Sequence, residues 1–290
     1  MGTERRASGF EASDPDNILP AHSVAWQISP EIQPERLVAY LDDAAATPGV
    51  QQAARIAMER LQLAPGLRVL DVGCGTGVFL PALARSVGPE GFVAGLDHAP
   101  ALLREARERL VRLGLSDRVS LQVGDAAQMP FPDATFDRVH ISRVLIHVED
   151  PSAVLREMRR VTKAGGWIVA VEPDFASLRI DHPDQEAARA LVAGFCQGIR
   201  NPSLGLELWR RLAEVGLEER QVDVVSEIDT EYTEETASYD RRNMERAVGA
   251  GLISPERAEA ALDYLAKVGR QGHYAAYSSL IIAAGKVPAA

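Results

Sequence analysis

An α/β fold with a mostly parallel sheet and helices on both faces is what this sequence predicts. Between residues 65 and 174, short apolar runs alternate with segments of helical period. The runs "RVLDVG", "GFVAGLD" and "GWIVAVEP" are apolar on both faces, the mark of buried parallel strands joined by crossover helices. The first of them leads directly into Gly73, Gly75 and Gly77.

The elements follow in order. "MGTERRASGFEASDPDN" is a polar, partly disordered lead-in without the apolar centre of a signal peptide. Asp14 to Pro34 holds Pro15, Pro20, Pro30 and Pro34 around Trp26 and reads as irregular chain or short helices. Helices are expected over 34–46 and 50–63, the second stopped by "APG" at Ala64–Gly66. "RVLDVG" is a strand. Val78–Val87 is a helix whose Pro81 sits in the first turn, where its missing N–H does no harm. "GFVAGLD", "VSLQVGD", "FDRVHIS" and "GWIVAVEP" are strands two to five, with helices over Pro100–Leu113 and "PSAVLREMRRVT". Beyond Pro173 the pattern changes to helices over 183–198 and 203–215, a strand in "RQVDVVSEIDTEY", helices over 234–248 and 255–267, and a last strand in "YAAYSSLIIAAG". The later helices read as insertions that, with the N-terminal helices, cap the sheet.

Bulk properties narrow the function classes. A formal net charge of −10 repels phosphate backbones, so nucleic acid is a poor partner. The two cysteines, Cys74 and Cys196, lie too far apart in sequence to suggest a disulfide framework and fit a reducing cytoplasm. No stretch approaches the length that crosses a bilayer. His140, His147 and His182 lack metal-ligand spacing, so no metal is expected.

A glycine-rich loop between strand and helix lets a ligand approach backbone N–H groups at a helix N-terminus. Dinucleotide sites use G-x-G-x-x-G, but here Val78 occupies the third glycine position and the spacing is G-x-G-x-G. With "VLDVGCGTG", then "GLDHAP", "GDAAQMPFPDATFD", "HISRVLIHVEDP" and "AGGWIVAVEPD" in register, the chain resembles the class I S-adenosylmethionine-dependent methyltransferases of the methyltransferase type 11 or UbiE-like group. The resemblance is strong over Val69–Asp174 and holds in outline at the flanks.

The resemblance implies a Rossmann-like sheet of seven strands. It also implies three regions: an N-terminal arm and cap helices (1–64), a cofactor-binding core (65–174), and the rest of the sheet with helical cap insertions (175–290). It implies S-adenosylmethionine as cofactor and S-adenosylhomocysteine as product. Gly73, Gly75 and Gly77 would pass under the amino acid and ribose. Asp71 would anchor the loop or meet the ammonium through water. Asp97 would accept the ribose hydroxyls, its alternative being a helix N-cap, with His98 beside it. Asp125 would accept from the adenine amine next to Ala126. Ser142 and Arg143 follow the fourth strand, and Arg143 would pair with the cofactor carboxylate.

Cys74 reads as a small loop residue rather than a nucleophile, and His140 as a satisfied core histidine. His147 is a candidate base or substrate contact, or a histidine bonded locally near Glu149 and Asp150. Asp174 is either a loop cap or a substrate contact. Trp26, Tyr40, Tyr232 and Tyr239 either pack the cap or wall an apolar acceptor pocket. The expected activity is methyl transfer to oxygen, nitrogen or carbon of a small molecule, in secondary metabolism. A cyclase or pericyclase that uses the sulfonium charge, or a non-catalytic binding module, is the alternative. The N-terminal arm is a candidate homo-oligomer contact.

Overall fold

The computed structural model describes residues 34–289. Trp26, the proline-rich segment before α1 and the expected oligomer contact lie outside the described residues. Helices α1 (Pro34–Ala46) and α2 (Pro48–Arg60) precede the core, which runs β1 (Arg68–Val72), α3 (Leu80–Ser86), β2 (Phe92–Asp97), α4 (Pro100–Arg112), β3 (Val119–Val123), β4 (Phe136–Ser142), α5 (Pro151–Val161) and β5 (Thr162–Pro173). There follow β6 (Arg179–Ile180), α6 (Gln185–Gln197), α7 (Leu204–Glu214), β7 (Glu218–Asp229), α8 (Glu234–Gly249), α9 (Pro255–Arg270) and β8 (Ala276–Lys286).

The sheet has eight strands, one more than expected. Five parallel strands stand in the order β3-β2-β1-β4-β5, and antiparallel β8 extends them beside β5. β7 covers the other edge of β8. The additional strand is β6, whose two residues pair with Tyr277 and Ala276; so short a piece leaves no periodic signal in a sequence. The strand order reverses at β1, and the carboxyl ends of β1 and β4 open a crevice there.

Alternating side chains fill the two faces. Val69, Val93 and Val169 point to the side covered by α2, α3 and α4, while Leu70, Ala94 and Ile168 point to the side covered by α5 and α7. α5 shows the cause of its own fold. Val154, Leu155, Met158 and Val161 make a buried stripe, each side chain contributing about 1.5–3 kcal/mol. Asp150 caps it by accepting from the Ser152 and Ala153 amides at 2.9 and 3.0 Å, a contribution of about 1 kcal/mol. On α2, Ala53, Ala57 and Leu61 recur every four residues and let the helix close on the sheet. Arg60 then holds it to β7 through a two-pronged bond to Asp223 at 2.6 and 2.8 Å.

Tyr40 of α1 lies within electrostatic reach of Glu235 and Tyr239 of α8. Helices α6, α8 and α9 form a cluster with its own core, including Leu191, Met244 and Leu265. They touch so closely that a Cβ on Gly194 would stand 1.9 Å from the Asn243 carbonyl oxygen. α7 joins the sheet core instead, and α2 lies flat on the sheet. α1 is the N-terminal element that overhangs the crevice: Leu37 packs on Ala99 and Leu102. Asp42 of α1 accepts from Thr76 Oγ1 at 2.8 Å and pairs with Arg109 of α4. Among the described residues, no helix is long and apolar enough to cross a membrane.

Candidate functional site

The crevice is a cavity of about 1140 Å³. It takes in Asp71, Gly73, Gly75, Asp97, His98, Asp125, Ala126, Ser142, Arg143 and His147 from the expected site, together with Tyr40 from α1. Apart from Tyr40, these residues come from the carboxyl ends of four strands and the loops that follow them, so the topology of the sheet assembles them.

The glycine loop is shaped for a close ligand. Gly75 has φ +53°, and a Cβ built on it meets no atom within 4 Å, because that side faces the cavity. A side chain there would stand in the ligand's place and strain the backbone. The expectation for Gly77 is corrected: it does not line the cavity, and its Cβ would fall 2.9 Å from the Ala106 Cβ. Its role is the approach of the loop to α4. Cys74 is buried, and desolvation first, then the charges of Asp71 and Asp97, push its thiol well above the ordinary range, so it stays neutral and unreactive.

Asp97 ties the loop to β2. Its Oδ2 accepts from the Gly75 amide at 2.9 Å and its Oδ1 from the Ala99 amide at 2.9 Å. A carboxylate offers about four lone-pair sites, so two remain for vicinal hydroxyls. Burial raises the pKa of this carboxyl, against the pull of those two amides. His98 stands 3.5 Å away, Nδ1 to Oδ1. Asp125 accepts from the Ala127 amide at 2.8 Å through one oxygen.

Asp71 is committed to a neighbour. His140 of β4 meets its Oδ1 at 2.7 Å, both groups buried, and Phe79 stacks on the imidazole at 4.3 Å and 22°. With Nδ1–H donating to the carboxylate, this pair anchors the loop, and His140 also reaches the cavity wall.

Arg143 occupies a left-handed conformation, φ +57°, which costs a non-glycine residue about 1–2 kcal/mol. The surrounding bonds force it. Its amide donates to Val171 O at 2.8 Å. The next two amides, Val144 and Leu145, donate to Glu172 Oε1 at 3.0 and 2.8 Å. Asn201 collects the carbonyls: its Nδ2 donates to Leu145 O and Val148 O at 3.0 and 2.8 Å, and its amide to Ile146 O at 3.1 Å. Desolvation pulls the Arg143 guanidinium below its ordinary pKa, and Tyr40 and Glu172 oppose that pull. It forms no ion pair with a described residue. His147 lies four residues on, in the same turn and the same cavity, its amide donating to Val144 O at 2.9 Å.

Three expected residues fall elsewhere. Asp174 does not line the cavity; it is buried behind it, its amide on Ser279 O and its Oδ1 without a partner among the described residues. Tyr232 packs on Tyr274 in the α6–α8–α9 cluster at 5.0 Å, and Tyr239 donates to Glu235 at 3.1 Å under the Arg242 guanidinium. Neither tyrosine lines the cavity. Glu172, Asn201 and Arg200, the last an exposed lining residue, were missed. The available signal was a glutamate inside the apolar run "WIVAVEP", since a charge in a strand covered on both sides needs dedicated partners.

Residues 63–223, more than half of the chain, match the methyltransferase-domain family. The chain belongs to this family. Over 232 residues the chain is 35% identical to an uncharacterised 37.1 kDa protein of a Streptomyces fradiae transposon, covering 79% of this chain and 66% of that one. Over 115 residues it is 46% identical to the demethylmenaquinone methyltransferase of Geobacillus kaustophilus, covering 40% of this chain and 49% of that one. The chain thus matches about half to two thirds of the length of these curated relatives. Among solved structures, the YcgJ protein of Bacillus subtilis shares its fold with a TM-score of 0.58 at 19% identity, over 83% of this chain and all of the other.

Proposed function

We propose that the chain transfers a methyl group from S-adenosylmethionine to a small-molecule acceptor. The observation that carries this reading is the charge pattern around Gly75. Asp71, Asp97 and Asp125 line the crevice beside the open face of that glycine. Three carboxylates disfavour a pyrophosphate, and the G-x-G-x-G spacing, with Val78 at the third glycine position, departs from the dinucleotide fingerprint. The same carboxylates suit a cofactor with a sulfonium, an ammonium and ribose hydroxyls, and Arg143 supplies the cation for its single carboxylate.

The residues present therefore fit the group. Asp97 would hold the ribose, Asp125 the adenine amine, Gly75 the backbone approach, and Arg143 the carboxylate. When bound, the cofactor supplies an activated methyl on a good leaving group. The chain's own task is to hold the acceptor in line and keep water out. Ile146, His147, Val148 and Phe175 with Arg200 form the wall that would receive the acceptor. His147 is the group placed to take a proton from an acceptor hydroxyl, amine or acidic carbon. Action in secondary metabolism, a cytoplasmic location and self-association through the N-terminal arm belong to the same proposal.

The test is mass spectrometry with cofactor carrying a deuterated methyl group and a panel of phenols, quinols, amines and carboxylic acids. A labelled product with equimolar S-adenosylhomocysteine is expected. Turnover of an acceptor without demethylated cofactor would replace the reading with a cyclase, and tight binding without turnover with a binding module.

A further inference from the structure

Glu172 is fully buried, with 0% of its surface exposed, at the carboxyl end of β5. Oε1 accepts from Val144 and Leu145, and Oε2 has no partner among the described residues. Its backbone pairs with Ile281 of β8 in the middle of the sheet, so the carboxylate cannot retreat to water. On the far side of the two amides stands Arg143 in its left-handed conformation. An unaided glutamate would be expelled from such a place, and its neighbours on that face of the sheet, Ala170 and Ile281, are apolar.

We propose that Glu172 is a positioning residue for the cofactor's amino acid end: its carboxylate pulls the Val144–Leu145 amides inward and thereby holds Arg143 in the conformation that faces the cavity. Its second oxygen lies unbonded because the geometry serves the turn rather than the glutamate. Asn201 secures the same turn through its carbonyls, so the two side chains grip one loop from opposite polarities. Burial pushes the Glu172 carboxyl up to about 7, against the pull of the Leu145, Val144 and Ile146 amides and the Arg143 charge. The fold therefore tolerates a destabilised acid at this point, a sign that the site rather than the core requires it.

The inference rests on the reading that Arg143 meets the cofactor carboxylate. Two probes separate its parts. S-adenosylhomocysteine carries the amino acid end, and 5′-methylthioadenosine lacks it. Calorimetry on the full chain should show that Glu172→Gln weakens S-adenosylhomocysteine about tenfold and leaves 5′-methylthioadenosine within about twofold. Asn201→Ala, at a half-buried position, should show the same selectivity. Arg143→Ala should show it too, and its double variant with Glu172→Gln should lose less than the sum of the two. Equal weakening of both probes, or none, in Glu172→Gln and Asn201→Ala overturns the inference and makes Glu172 a structural acid only. Selective loss in Arg143→Ala without loss in the other two removes the positioning role and leaves the Arg143 reading standing. An Arg143→Ala variant that binds both probes normally removes that reading, and the inference with it.

Discussion

Replacing Glu172 by glutamine removes a buried charge and leaves the Val144 and Leu145 amides only a weaker, neutral acceptor, and the effect on stability can be worked from the structure. In the folded protein the carboxyl titrates near 7, whereas an unfolded glutamate titrates near the usual 4.5. Between those values the folded state holds the extra proton, so stability falls as pH rises through the window and the loss is complete above the folded value. Integrating the two titrations gives a loss of about 2–3 kcal/mol between pH 5 and pH 8. Asp240, also raised to about 7 by burial, adds the same trend to both proteins and cancels in the difference. Urea unfolding of wild type and Glu172→Gln at pH 5, 6.5 and 8 reads that difference directly. At an m-value of about 3 kcal/mol/M, the two midpoints should move apart by about 0.8 M, the variant gaining as pH rises. Parallel pH profiles would refute the reasoning, since they mean that Glu172 titrates alike in both states. The same substitution gains stability and loses cofactor selectivity, a trade expected where a site retains an unfavourable group.

Other perturbations test the rest of the site. Gly75→Ala should weaken S-adenosylhomocysteine at least about tenfold by calorimetry, while urea unfolding shows a loss of only about 1–2 kcal/mol, because its Cβ enters the cavity and not the core. Asp97→Ala takes the acceptor from two amides as well as from the ribose; cofactor affinity should fall about a hundredfold and stability with it. Asp42→Ala frees α1 from Thr76 and Arg109, and limited proteolysis within Pro34–Ala46 should quicken while the remaining chain resists. His147→Ala should lower kcat for an identified acceptor by about a hundredfold with cofactor affinity unchanged; an equal change in both would assign the residue to binding.

The sheet was legible because buried strands and crossover helices carry opposite periods, and each core strand in the sequence reappears within a few residues of its expected place. The exception in the core is β5, which begins at Thr162, ahead of the apolar run, because "TKAGG" pairs through its backbone rather than through apolar side chains. The glycine loop and the three aspartates after β1, β2 and β3 were legible because their chemistry is local: each sits within a few residues of a strand end. Gly77 shows the limit of that logic, since spacing alone does not tell a ligand contact from a helix contact. Tyr232 and Tyr239 lie outside the cavity lining for a related reason. Aromatic residues are placed by packing that local spacing does not show: Tyr232 packs on Tyr274, and Tyr239 bonds Glu235 one turn back on its own helix. Glu172 and Asn201 act on a turn that lies 27 and 56 residues away from them in the chain, at Leu145, a distance no local pattern spans.

Titrating S-adenosylhomocysteine, and separately NADH, into the purified chain in a calorimeter measures what the crevice was built to hold. One equivalent of S-adenosylhomocysteine binding per chain, lost in Asp97→Ala, with no heat from NADH, is the result this structure demands. Saturable binding of NADH with none of S-adenosylhomocysteine would mean that the glycine loop and its aspartates have been assigned to the wrong ligand.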